Sequence, residues 1–235
     1  MHTIHENARD IPISGDYDVI VAGSGPAGSA AAVKAGRLGM KVLLIEWGNS
    51  IGGISTSGLM SHWTGTVNSP IYSEILNRMA EMNERNEHNV VVPEINPENL
   101  KYIYIKMLQE AGVEILLYTF VCGVCMEGGR AAGVITESKS GRRVFISKVV
   151  IDGTGDGDVA AFAGAEYFKG RETDGKMQPA TLMFKVAGVD TSRAVFLGSF
   201  ESTYQTEKGE LQALAKQHIP YPATLSTRLC KHIKN

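Results

Sequence analysis

Six residues, Gly23-Ser24-Gly25-Pro26-Ala27-Gly28, fit the pattern G-x-G-x-x-G, and Glu46 closes the next apolar run. Together they suit the grip on a dinucleotide. Gly23 permits a tight turn out of a strand, and Gly25 lets a pyrophosphate reach the backbone where a side chain would collide. Gly28, with Ala32 one turn further on, lets a helix lie close to a sheet. The amides opening that helix then face the phosphate, and their partial positive charge replaces a basic side chain. Glu46 can accept hydrogen bonds from both ribose hydroxyls of an adenosine and would repel a 2′-phosphate, so NADP is disfavoured while NAD and FAD stay open. The bland alternative is a glycine-rich turn followed by a surface glutamate. It fits less well between a strand and a helix.

The flanking residues supply that setting. Tyr17 to Ala22 reads as a buried strand, because Val19, Ile20 and Val21 form a β-branched run that ends at the glycine turn. Pro26 to Leu38 reads as a helix and Lys41 to Ile45 as a second buried strand, giving a compact βαβ unit. Asn96-Pro97-Glu98 provides an N-cap, a first-turn proline and a charge favourable to the helix dipole, so a helix is expected to about Ala111. From Glu114 to Asp152, β-rich runs alternate with Glu127-Gly128-Gly129 and Lys139-Ser140-Gly141, which predicts a three-stranded antiparallel meander. Thr181 to Val186 is expected as another strand, and Gln205 to His218 has helical composition.

With 235 residues and 43% hydrophobic content, the chain can bury a sizeable core. Its 23 Lys+Arg against 25 Asp+Glu create no broad field for nucleic acid or anionic membrane, so phosphate binding has to be local. Met1 to Asp10 lacks the apolar stretch of a secretory signal. The apolar segment Val19 to Val33 is broken by Gly23, Gly25, Pro26 and Gly28, which argues against a membrane helix. Three cysteines suit a reducing compartment, and a cytoplasmic location is expected.

Two further segments resemble a known family. Ser50 to Leu59, with Gly52-Gly53 and then Ser55 and Thr56, looks like the second glycine loop of FAD-dependent oxidoreductases of the glutathione-reductase structural type. Gly52-Gly53 can present backbone N–H groups to an anion, and Ser55 and Thr56 can donate hydroxyl hydrogen bonds; taken alone, a flexible loop explains these residues equally well. Val150 to Asp158, containing Gly153-Thr154-Gly155, resembles the strand and glycine turn that return the chain to the nucleotide domain in these flavoproteins. Asp158 is expected to cap a helix starting at Val159, and the acids Asp152, Asp156 and Asp158 are not taken as phosphate ligands, since a carboxylate repels pyrophosphate. They also lack the remaining features of a calcium loop, and no metal site is expected.

The meander fits the same resemblance, which implies backbone contacts to adenine near Val121 and a cofactor contact at Trp47. Gly170 to Phe184 resembles the entry to the substrate domain of proteins related to heterodisulfide reductase, in its A-type component. The resemblance runs from about Tyr17 to Asp190. It implies an α/β fold, with an FAD-binding Rossmann-type parallel sheet, an antiparallel three-stranded meander and the start of a second α+β substrate domain. The corresponding division is residues 1–16 as an extension, 17–177 as the FAD/NAD(P)-binding domain and 178–235 as an incomplete substrate domain. The implied cofactor is FAD, the implied partners a small-molecule substrate and an electron-donor protein or NAD(P)H.

Relatives of this type return later with another strand-helix element on the flavin side, and Gly188 to Asn235 holds none. The isoalloxazine pocket is therefore expected to be incomplete and FAD to be held weakly. Cys122 and Cys125 sit in a β-rich run, where residues three apart point to opposite faces, and with distant Cys230 they fall short of a cluster's ligand set. No catalytic constellation emerges from spacing. His62 could face a substrate, Arg171 could bind an acidic one and Gln178 could approach the flavin; packing or a surface ion pair explains the first two as readily. A flavin oxidoreductase is the leading expectation, ahead of a non-catalytic nucleotide-binding module and an NAD-dependent dehydrogenase.

Overall fold

Strand β1 (Ile13–Ala22), helix α1 (Pro26–Arg37) and strand β2 (Val42–Ile45) build the expected βαβ unit. The structure, a computed structural model, describes residues 3–5, 7–60, 63, 68–82, 95–178 and 180–185. Helix α1 opens on Pro26, where a missing N–H costs nothing, and buries Gly28, Ser29, Ala32 and Val33. Small residues on that face bring the helix axis close to the sheet. Helix α2 (Pro70–Met82) has no counterpart among the elements expected from the sequence. Helix α3 (Pro97–Glu110) does, down to its cap: the Asn96 side chain accepts the N–H groups of Glu98 and Asn99.

The remaining strands are β3 (Glu114–Leu116), β4 (Thr119–Glu127), β5 (Arg130–Ser138) and β6 (Arg143–Asp152), followed by the short helix α4 (Asp158–Phe162). Among the described residues, one sheet of six strands runs in the order β3-β2-β1-β6-β5-β4. Strands β3, β2, β1 and β6 are parallel, while β6-β5-β4 form the predicted antiparallel meander. Strand β1 begins earlier than its apolar run suggests because Ile13 to Tyr17 pair with Val144 to Ser147 of β6. The register sets Ala22 beside Ile45 on one side and Asp152 on the other, so β1, β2 and β6 end together. Their outgoing loops therefore meet at one edge.

Strand alternation divides the core between the two faces. Val19, Val21, Val42 and Leu44 pack with α1, α2 and α3 residues such as Val33, Met79, Leu100 and Met107. Ile20, Ala22, Leu43 and Ile45 pack with Val121, Val134, Phe145 and Val159. With both faces covered, β1 and β2 read as continuous apolar runs.

The chain divides into two compact units, Met1–Met177 and Gln178–Asn235. In the second, residues 181–185 carry no strand, contrary to expectation. A β-prone run becomes a strand only when a neighbour completes its ladder, and composition does not supply one. Val186 and the expected helix from Gln205 to His218 lie outside the described residues, as do His62 and Cys230.

Candidate functional site

Three glycine-bearing loops converge where β1, β2 and β6 end. Gly23 takes a left-handed φ of 87°, and its N–H donates to the carbonyl of Ile45 at 2.7 Å. A Cβ on Gly28 would strike the carbonyl of Gly23, and one on Gly153 would lie 2.9 Å from the Gly28 Cα. One on Gly53 would lie 2.9 Å from the Gly25 Cα. These glycines serve backbone-to-backbone contact. Gly25 differs, since a Cβ there would meet nothing nearer than the Gly153 carbonyl at 3.9 Å. The space above Gly25 is open, as a ligand approach requires.

Around that opening stand unsatisfied donors. Helix α1 has no side-chain cap and no acid in its first turn. Among the described residues, the N–H groups of Ala27, Gly28 and Gly53 donate to no protein acceptor. Such amides at a helix start form an anion site. Gly155, exposed with φ 93°, likewise has open space around it. Pro26 supplies φ but no donor. The residues therefore fit a diphosphate bound beside Gly25.

Other expected ligands turn inward. Gly52, with φ 105°, donates its N–H to the Ser24 carbonyl at 2.8 Å, leaving Gly53 as the free amide of the pair. Thr56 is fully buried, and its hydroxyl donates to the Ile51 carbonyl at 2.6 Å. Ser55 is buried too and accepts the indole N–H of Trp63 at 3.0 Å, while Trp63 stacks on Tyr72. The sequence offers no sign that Trp63 anchors this loop, because the contact needs α2 in place.

Glu46 is 6% exposed and held from several directions. Its Oε2 accepts the Ser24 N–H at 2.9 Å and the Ser24 hydroxyl at 2.5 Å, and its Oε1 accepts the Gly48 N–H at 2.7 Å. Its own N–H donates to the Leu116 carbonyl, and its carbonyl accepts the Thr119 N–H. The Tyr118 N–H donates to the Gly48 carbonyl at 3.0 Å, with Tyr118 at φ 52°, a conformation rare for an aromatic residue. The start of β4 thus straps the turn after β2. Val121 follows on β4, buried and paired with Thr136, while Trp47 is 74% exposed beside Glu46.

At the end of β6 the structure corrects the expected cap. Gly157 occupies the N-cap of α4 and Asp158 is its first residue. The capping carboxylate comes from Asp152, whose Oδ2 accepts the Ala160 N–H at 2.9 Å and whose Oδ1 accepts the Thr154 hydroxyl and N–H. Partial burial pushes this carboxyl up, but the Thr154 hydroxyl and the Ala160, Thr154 and Val159 amides outweigh it and hold the pKa below the usual carboxylate range. Thr154 also accepts the Asp158 N–H at 3.0 Å, so its hydroxyl is committed to the turn.

The outlying candidates have other surroundings. Arg171 pairs through two hydrogen bonds with Asp174. Gln178 is exposed and belongs to the second unit. Cys122 and Cys125 are free thiols on β4, and burial raises the pKa of Cys125. Among the described residues no cluster of three or more His, Cys, Asp or Glu could hold a metal. A cavity of about 240 Å³ lined by Asp16, Tyr17, Asp18, Lys41 and Lys148 lies towards the other end of β1.

Parallel strands whose loops meet at an open glycine, with an acid just after the second strand, define an α/β protein of the dinucleotide-binding fold. The profile of the FAD dependent oxidoreductase family matches residues 18–231. The chain belongs to that family, whose cofactor is FAD. It is 29% identical over 164 residues to a digeranylgeranylglycerophospholipid reductase of Methanocella arvoryzae, covering 63% of this chain and 42% of that protein. A second such reductase, from Methanococcoides burtonii, is 27% identical over 197 residues, covering 76% of this chain and 46% of its own length. The chain thus spans less than half the length of these relatives. In fold it is similar to the crystal structure of THI4 from Thermovibrio ammonificans, with a TM-score of 0.50, 17% identity and coverage of 66% and 67% of the two chains.

Proposed function

We propose that this chain binds the ADP portion of FAD at the Gly23–Gly28 turn and serves a flavin-dependent oxidoreductase acting on a small molecule. The observation that carries this reading is the open face of Gly25, bordered by the free amides of Ala27, Gly28 and Gly53. Those amides neutralise the diphosphate without a basic side chain. Glu46, already fixed by Ser24 and Gly48, is the acceptor for the adenosine ribose. Trp47 and the strand start near Val121 border the adenine. Gly153 and Gly155 complete the cradle from the β6 side, and the Ser24 backbone and Pro26 shape its floor.

The chemistry FAD supplies is two-electron transfer, for which the protein provides binding, orientation and exclusion of water. The order of the glycine segments supports the glutathione-reductase structural type and a relation to the A-type component of heterodisulfide reductase. The two reductases named above support a reductive reaction, with NAD(P)H or an electron-donor protein as the source of electrons. Among the described residues no helix is long and apolar enough to cross a membrane. A cytoplasmic setting is part of the proposal.

Titration of the purified chain with FAD and with ADP tests it. Binding of both, abolished together by Gly25→Val, is the expected result. Absence of ADP binding would sink the assignment.

A further inference from the structure

Glu46 is usable as a ribose acceptor only through whatever lone pairs its neighbours leave free. A carboxylate offers about four acceptor positions, two on each oxygen. Among the described residues, Oε2 carries both the N–H and the hydroxyl of Ser24, whereas Oε1 carries the Gly48 N–H alone. One position remains, on Oε1.

We propose that Ser24 is a positioning and specificity residue: its hydroxyl saturates Oε2, so that Glu46 reads a single ribose hydroxyl through Oε1 rather than both. The inference rests on the reading of Glu46 as the ribose acceptor. Ser24 is fully buried, and its carbonyl accepts the Ser29 hydroxyl at 2.7 Å and the Gly52 N–H at 2.8 Å. The backbone of the residue is thereby tied to α1 and to the second glycine loop. Among the described residues its hydroxyl has no acceptor besides Glu46. A ribose hydroxyl that displaced it from Oε2 would strand a buried donor, which is the costlier arrangement.

The test uses the full chain and measures Kd by calorimetry for ADP, 2′-deoxy-ADP and 3′-deoxy-ADP. One deoxy analogue is expected to bind about tenfold or more weakly, as loss of a hydrogen bond to a charged acceptor implies. The other should bind like ADP. In Ser24→Ala the freed Oε2 accepts the second hydroxyl, so both analogues should now lose affinity relative to ADP. A merely structural serine would weaken all three ligands in parallel and keep the original preference, which overturns the proposal. Equal penalties for both analogues in the unaltered protein also overturn it, and need no variant to fold. The Glu46→Gln variant separates the two levels. If it binds ADP unchanged, the ribose reading itself falls; if it binds ADP weakly while the unaltered protein penalises both analogues equally, only the role of Ser24 falls.

Discussion

Gly28 lies against the carbonyl of Gly23 so closely that no Cβ fits between them, whereas a Cβ on Gly25 has its nearest neighbour 3.9 Å away. Two glycines of one motif therefore serve different ends. Gly28→Ala is expected to destabilise the fold by about 1–3 kcal/mol through overpacking, read as a lower denaturant midpoint. Gly25→Ala, at φ -58°, should fold within about 1 kcal/mol of the original, as an N-cap glycine exchange does. Its FAD affinity should nevertheless fall about tenfold or more, since hydrogen bonds to a charged ligand are worth about 1.5–3 kcal/mol each. Flavin fluorescence on titration measures it.

Asp152→Ala removes the carboxylate that caps α4 and fixes Thr154. The expected cost is about 1 kcal/mol, typical of a lost cap. Because the folded pKa lies below the unfolded one, this contribution is present above about pH 3.9 and is lost as pH falls through the depressed folded value. Urea melts in acid should show the original protein and the variant converging.

Tyr17 donates to Glu114 at 2.7 Å, and burial first, then that hydrogen bond and the Glu114 charge, push its pKa up to about 12. The native state then keeps the phenol proton at a pH where the unfolded chain, with a value of about 10, has released it. Stability from this group is complete below about pH 10 and declines as pH rises towards about 12. Tyr17→Phe should be less stable at neutral pH, with a shallower alkaline loss in denaturant titrations.

Arg78 on α2 pairs with Glu74 at 2.8 Å and Glu110 at 2.5 Å, and Glu74 also pairs with Arg37 on α1. The charges are partly exposed, so Arg78→Gln should cost no more than about 1 kcal/mol at low salt. In about 1 M salt, where the Debye length is about 3 Å, the difference should shrink. Melting curves at two ionic strengths decide it.

The elements legible in the chain are those whose signals are local. The β-branched run before Gly23, the Asn96-Pro97-Glu98 start of α3, and the turns at Gly128-Gly129 and Ser140-Gly141 between β4, β5 and β6 all act within a few residues. The antiparallel return in place of a crossover helix is legible for the same reason. Helix α2 is not, and neither is β3, which is too short to announce itself and exists as the partner of β2. Proximity in sequence points to Asp158 as the cap of α4, yet the carboxylate that reaches Ala160 belongs to Asp152 on the strand.

Residue types and spacing were enough to specify a glycine turn, an acid just after the following strand and a dinucleotide ligand with NAD and FAD both open, since backbone conformation and charge act over short range; FAD was implied by the family resemblance. Packing alone decided which of those groups stay open at that edge and which are taken up by the protein itself. The ends of β1, β2 and β6 had to be brought level before Gly53 could rest on Gly25, Ser24 could occupy Glu46, and Thr56 could bury its hydroxyl. A hydrogen bond between residues far apart in the chain depends on sub-ångström placement of two loops, and linear order carries no measure of that distance.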